Sequence, residues 1–196
     1  MRKGEITRHR IVELAAPVFN RQGFAGAALS DLMAATGLKK GGIYRHFASK
    51  EDLASDSFDY AWKIAMETRF DGLEQVANSV DRLALMIRNF KERRAGLIPG
   101  GCPLLNTAVD SDDGNPVLRE KAQGALEAWL RRMQTIAKEG QRRGEIRADV
   151  DAGKLAMLIA STIEGGQMLS RLQQDDAPIE QACSHLVDYL ENHVRA

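Results

Sequence analysis

The sequence predicts an all-α fold of about nine helices, with a small three-helix unit at the N-terminus and a larger helical body behind it. Three observations predict it. Apolar residues recur at intervals of three and four in nearly every segment, and no segment alternates as a strand would. Gly and Pro stand where the periodic runs begin or stop, at Gly23, Gly37, Pro99-Gly100-Gly101, Pro116, Gly144 and Pro178, which is where helix boundaries place them. Charge is also divided along the chain. Residues 1–50 hold nine Lys and Arg against three acidic residues, and the whole chain holds 27 of each sign, so the first 50 carry +6 and the rest −6. A basic end on an acidic body provides one surface that attracts a polyanion and another that avoids it. The expected units are residues 1–50 and 51–196.

Each element follows from local pattern. The first helix places Ile11, Leu14, Ala15, Val18 and Phe19 on one face and stops at Gly23. A short second helix holds Leu29, Leu32 and Met33 and closes at Gly37. The third, Lys39 to Phe47, is too short to persist alone and has to be held by packing. Ser49, three residues before Asp52, caps the fourth helix in a carboxylate variant of the capping box; Phe58, Ala61, Trp62 and Ala65 line one side of it. Val80, Leu83, Ala84, Ile87 and Phe90 give a fifth helix before the Pro99-Gly100-Gly101 breaker. Cys102 to Val109 form a short sixth, and Asp110-Ser111-Asp112-Asp113-Gly114 reads as a solvated loop. Asn115-Pro116 supplies an N-cap and an N1 proline for a long seventh helix through Trp129, Met133 and Ala137, stopped by Gly144. Leu155, Leu158, Ile159, Ile163, Gly166 and Leu169 mark the eighth. Pro178 opens the ninth, with Ile179, Ala182, Cys183, Leu186, Leu190 and Val194.

Three helices in the first 47 residues, the last two joined by a Gly-containing turn, match a helix-turn-helix over about residues 28–47. Leu32 is expected to bury against the first helix, Gly37 to make the turn and Leu38 to fill the corner. Ile43 and Phe47, four apart, anchor the third helix. Lys39, Lys40, Gly41, Gly42, Tyr44, Arg45 and His46 are then left for an outer face. Arg and Lys suit phosphates and guanine edges, and Tyr44 can donate to a phosphate oxygen. Gly41 and Gly42 cost a helix roughly 1 kcal/mol each, and close approach of its amides to a phosphate would compensate. His46 fits a DNA contact and a hydrogen-bonded structural role equally.

The stretch from Gly23 to Leu53, GFAGAALSDLMAATGLKKGGIYRHFASKEDL, resembles the DNA-binding signature of the TetR family of regulators. The likeness is carried by Phe24, Leu29 with Leu32, Gly37-Leu38, Lys40-Gly41, Tyr44-Arg45-His46-Phe47 and Ser49-Lys50-Glu51. It implies that Lys40, Tyr44, His46 and Lys50 contact double-stranded operator DNA, chiefly its backbone, and that Arg45 contacts a base. Two positions depart from the family pattern. Ala27 and Ala28 stand where a Thr or Ser often caps the second helix and touches phosphate, a role left to Ser30, and Gly42 replaces a more usual Ala. The resemblance further implies a repressor that a small-molecule inducer releases from a palindromic site.

The wide apolar stripes of the last two helices, near residues 151–173 and 178–195, exceed what one core needs. Within the resemblance they form a homodimer interface, and a two-fold dimer matches a palindromic operator. The implied pocket for a lipophilic or electrophilic effector would be walled by Trp62, Met66, Phe70, Met86, Phe90, Leu105, Trp129, Met133 and Met168. Asn106, Thr162, Glu164 and Gln167 are its candidate polar anchors. Cys102, after Gly100-Gly101 and before Pro103, stands at a helix start that would stabilise a thiolate, which makes it a candidate electrophile or oxidant sensor.

Other classes find no support. Two cysteines and four histidines match no disulfide framework or zinc pattern, so neither metal nor cofactor is expected. No Gly-rich nucleotide loop, HExxH or triad spacing suggests an enzyme. MRKGEITRHRIVE lacks the apolar run of a signal peptide and LAMLIASTI is too short to span a bilayer, so a cytoplasmic location without a membrane partner is expected. The competing function is a helix-turn-helix protein that binds DNA without a small-molecule ligand, in chromosome organisation or with a protein partner.

Overall fold

The structure is a computed structural model that describes residues 3–92 and 98–196. Among these residues there are nine α-helices: α1 (Lys3–Gly26), α2 (Leu29–Thr36), α3 (Lys40–Tyr44), α4 (Lys50–Arg69), α5 (Ser79–Glu92), α6 (Pro103–Ser111), α7 (Pro116–Arg142), α8 (Ala152–Gln173) and α9 (Ala177–Tyr189). A 3-10 turn at Leu73–Gln75 precedes α5 and a π turn at Leu190–Val194 follows α9. No strand occurs among the described residues; one antiparallel bridge joins Ile146 and Arg195. The all-α expectation holds.

The helices form two compact units. The first contains α1, α2, α3, most of α4, α6 and the start of α7; the second contains the end of α4, α5, most of α7, α8 and α9.

In the first unit, Ile11, Val12, Ala15 and Phe19 of α1 meet Leu32 of α2, Ile43 of α3, Phe47, and Leu53 and Ala54 of α4, with Leu118 of α7 closing the cluster. Burying each large apolar side chain stabilises the unit by roughly 1.5–3 kcal/mol, and this packing is what a five-residue α3 depends on. Arg8 adds a polar lock, its guanidinium 4.6 Å from the Phe47 ring centroid and ion-paired with Asp56. At the start of α4, Ser49 Oγ accepts from Asp52 N–H at 3.0 Å. The reciprocal bond runs from Ala48 N–H to the Asp52 carboxylate, also at 3.0 Å. Asn115 caps α7 by accepting from Leu118 N–H at 2.9 Å.

Three expectations need correction here. α3 ends at Tyr44 rather than Phe47, because His46 N–H turns back to Ile43 O in a tighter, three-residue step. Ser30 does not cap α2: it lies inside the helix, exposed, while Ala28 stands at the N-cap and its N–H is bound by Asp31. Asp110 and Ser111 are not loop but the last turn of α6. The Asp110 carboxylate accepts from Phe24 N–H at 2.6 Å and packs on Gly23. Gly23 has φ 73° and ψ 175°, a region that essentially only glycine enters, and it breaks α1 where a helix stop is expected.

In the second unit α5 lies against α8 and α9, and Val80, Leu83 and Ile87 of α5, Met133 and Ala137 of α7, Ile159 and Ile163 of α8, and Ile179, Cys183 and Leu186 of α9 are all buried. Gly166 allows α8 and α9 to approach closely, since a Cβ there would lie 2.9 Å from that of Ala182. Asp151 caps α8, accepting from Gly153 and Lys154 N–H at 2.8 and 3.0 Å. Near the other end Arg195 ties the chain terminus to α5 through Asn78 and Asp81.

Candidate nucleic-acid interface

The short α3 exists because Ile43, 1% exposed, and Phe47, 2% exposed, pin it to the core. Everything else on it faces outward. Lys39, Lys40, Gly41 and Arg45 are exposed, and Gly42, Tyr44 and His46 are half-exposed. Gly37 makes the turn that aims α3, with φ 69° and its N–H on Met33 O at 3.0 Å; only a residue tolerant of the left-handed region fits there.

Among the described residues Lys39 and Arg45 have no carboxylate partner. Lys50, at the start of α4, lies 4.7 Å from the Phe24 ring centroid, and Lys40 lies 6.0 Å from that of Tyr44. Cations held over rings keep their charge while losing freedom. The result is a compact positive face on rigid supports, with Ser30 exposed on neighbouring α2. A face this size suits a polyanion's backbone better than a single anion.

Comparison with known proteins agrees with this geometry. Residues 11–56 match the model of bacterial regulatory proteins of the tetR family, and residues 79–186 match that of the tetracyclin repressor-like C-terminal domain. The chain belongs to the TetR family. A TetR transcriptional regulator from Chloroflexus aurantiacus J-10-FL is 48% identical, with TM-score 0.94 over 100% of this chain and 99% of its own. A TetR-family regulator from Cytophaga hutchinsonii is 33% identical, with TM-score 0.94 over 100% and 98%. The transcriptional repressor DhaR of Mycobacterium sp. strain GP1 is 26% identical over 180 residues, 89% of this chain and 87% of its own. The relatives are transcriptional regulators, and this chain is a TetR-family regulator with a helix-turn-helix domain.

The effector candidates separate between the two units. In the first, Trp62 is half-buried on α4. Cys102 is the N-cap of α6 and 1% exposed. Asn106 is committed to structure: its amide donates to Asn20 O at 2.9 Å, Asn20 Oδ1 at 3.1 Å and Gly100 O at 2.8 Å. Asn20 in turn donates to Pro99 O and Gly101 O, each at 3.1 Å, so the pair clasps the turn ahead of α6.

In the second unit Phe90 and Trp129 stack with centroids 5.5 Å apart, Met133 is buried on α7, and Met66 and Gln167 are half-buried. Met168 faces outward, 49% exposed, and so forms no interior wall. Sequence pattern missed Arg69, 3% exposed and lying 4.0 Å from the Phe90 centroid and 5.5 Å from that of Trp129. A basic residue in the last turn of a helix looks like ordinary end-capping, and only tertiary packing turns it inward.

Proposed function

We propose that the chain is a homodimeric, ligand-responsive repressor that binds a palindromic operator through α3. The observation that carries this reading is the exposed cationic face of α3 and Lys50, mounted on the buried pair Ile43 and Phe47. Lys39, Lys40, Tyr44, His46, Lys50 and Ser30 take the phosphate backbone, with Gly41 and Gly42 permitting close approach. Arg45, exposed and without an acidic partner among the described residues, reads a base edge in the major groove.

The dimer is assigned to the outer face of α8. Met157, Leu158, Met168, Leu169 and Leu172 are all exposed there, Leu172 by 79%, at helical spacing with Ser161 and Gly165 between them. Contiguous apolar surface of this kind marks an interaction site. The apolar stripe of α9 is used up internally against α5 and α8, so α9 contributes its polar flank rather than a second apolar face.

The effector site is assigned to the aromatic interior of the second unit, around Phe90, Trp129, Met133, Met66 and Gln167, and a lipophilic molecule with a polar end near Arg69 suits it. Cys102 is a less suitable trigger, because an electrophile reaches a thiol 1% exposed only after its surroundings open.

Selection of duplexes from a random pool, followed by fluorescence anisotropy and sedimentation of the complex, tests the reading. The expected result is a two-fold symmetric site occupied by dimers. Leu169→Glu with Leu172→Glu should yield monomers with at least tenfold weaker binding. Failure to retain any duplex at low salt, or full operator affinity in the monomeric variant, would overturn it.

A further inference from the structure

A cleft in the first unit lies among α1, α4, α6 and the start of α7. Phe19, Phe24 and Phe58 line its apolar side, and Ser57, Thr107 and Asp110 are among its polar groups. The space open to the centres of water-sized molecules is about 30 Å³, which holds roughly two waters or a ligand of a few heavy atoms. That is far too little for the lipophilic effector assigned above to the second unit.

The hydrogen-bonding capacity left in the cleft defines its ligand. Asn20 and Asn106 also line it, but their amide N–H groups are spent, those of Asn106 on Asn20 and Gly100 and those of Asn20 on the turn at 98–101. Ser57 is 1% exposed, and its hydroxyl has no hydrogen-bond partner among the described residues. A buried hydroxyl left unmatched is costly, and Ser57 is among the residues around the cleft. Asp110 uses one oxygen for Phe24 N–H at 2.6 Å and keeps acceptor capacity on the rest of the carboxylate. Among the described residues it is also the one charged group of the lining.

A negative charge, an unmatched hydroxyl and three phenyl rings complement a small cation that donates several hydrogen bonds and carries a short apolar stub. We propose that this cleft binds a small primary alkylammonium ion, its N–H groups directed to Asp110 and, once the side chains over it have opened, to Ser57, with its alkyl stub against the phenylalanines. Because Asp110 also holds Phe24, immediately ahead of the reading helices, occupancy acts on the DNA-reading unit through the same carboxylate. The site stands independently of the effector reading.

The test titrates full-length, isotope-labelled protein with ethylammonium chloride, sodium chloride or tetramethylammonium chloride at constant ionic strength, following backbone amide shifts. Ethylammonium alone should give saturable shifts centred on Phe24, Ser57, Thr107 and Asp110. Ser57→Ala deletes a hydroxyl with no partner among the described residues and so keeps the fold; it should weaken binding about fivefold or more, the loss expected for one hydrogen bond. Asp110→Asn keeps an acceptor for Phe24 and should abolish saturation. If Asp110→Asn does not fold, Ser57→Ala decides alone. Linear shifts, equal shifts with all three salts, or unchanged affinity in Ser57→Ala would overturn the proposal.

Discussion

Gly23→Ala probes the joint between α6 and the end of α1, and its cost can be worked from two separate terms. The first is backbone: φ 73° with ψ 175° is a conformation whose occupation by a residue with a Cβ costs about 1–3 kcal/mol. The second is steric. A Cβ at Gly23 would collide with the Asp110 carboxylate, lying 2.7 Å from its Cγ, so the carboxylate must move and release Phe24 N–H. That hydrogen bond is exposed to solvent, so its loss costs about 1 kcal/mol, the value of an ordinary hydrogen bond. The sum, about 2–4 kcal/mol, is a large share of the 5–15 kcal/mol typical of a domain. Urea denaturation at fixed protomer concentration measures it. The two terms separate in a double-mutant cycle. Asp110→Ala should cost about 1 kcal/mol in the parent and close to nothing in Gly23→Ala, where that bond is already lost. Equal cost in both backgrounds, or Gly23→Ala within about 0.5 kcal/mol of the parent, would refute the reasoning.

Three further outcomes are expected. Arg45→Ala should lose about 1–3 kcal/mol of discrimination at one operator position, whereas Lys50→Ala should weaken all sequences alike and lower the salt slope by about one; binding isotherms on single-base operator variants distinguish the two. Gly42→Ala should raise stability by about 0.4–1 kcal/mol, because its Cβ would meet the Leu38 side chain at an ordinary 3.4 Å; a lowered urea midpoint would contradict this. The Glu145 carboxylate accepts from Ser79 N–H at 2.7 Å at the start of α5, and that bond holds its pKa below the ordinary value of 4.5. A depressed folded pKa stabilises above the unfolded value and loses that contribution as pH falls through the folded one. The gap in urea midpoint between the parent and Glu145→Gln should therefore be largest above pH 4.5 and narrow on acidification. A gap that widens would reverse the assignment.

What the sequence determined by itself is what depends on neighbours in the chain. Helix periodicity, the Ser49–Asp52 and Asn115 caps, the Gly37 turn and the anchors Ile43 and Phe47 are local, because backbone hydrogen bonds and side-chain spacing act over a few residues. The outward face of Lys39, Lys40 and Arg45 follows from the same spacing once the two anchors are buried. Tertiary structure alone decided what depends on residues far apart. It turned Arg69 inward onto Phe90 and Trp129, set Asn20 and Asn106 around the turn at 98–101, and carried Asp110 from an apparent loop to the kink at Gly23. It also separated the stripe of α9, consumed in the core, from that of α8, left outside. A burial pattern gives the direction of a face but not its partner, and long-range partners are chosen only when the helices dock.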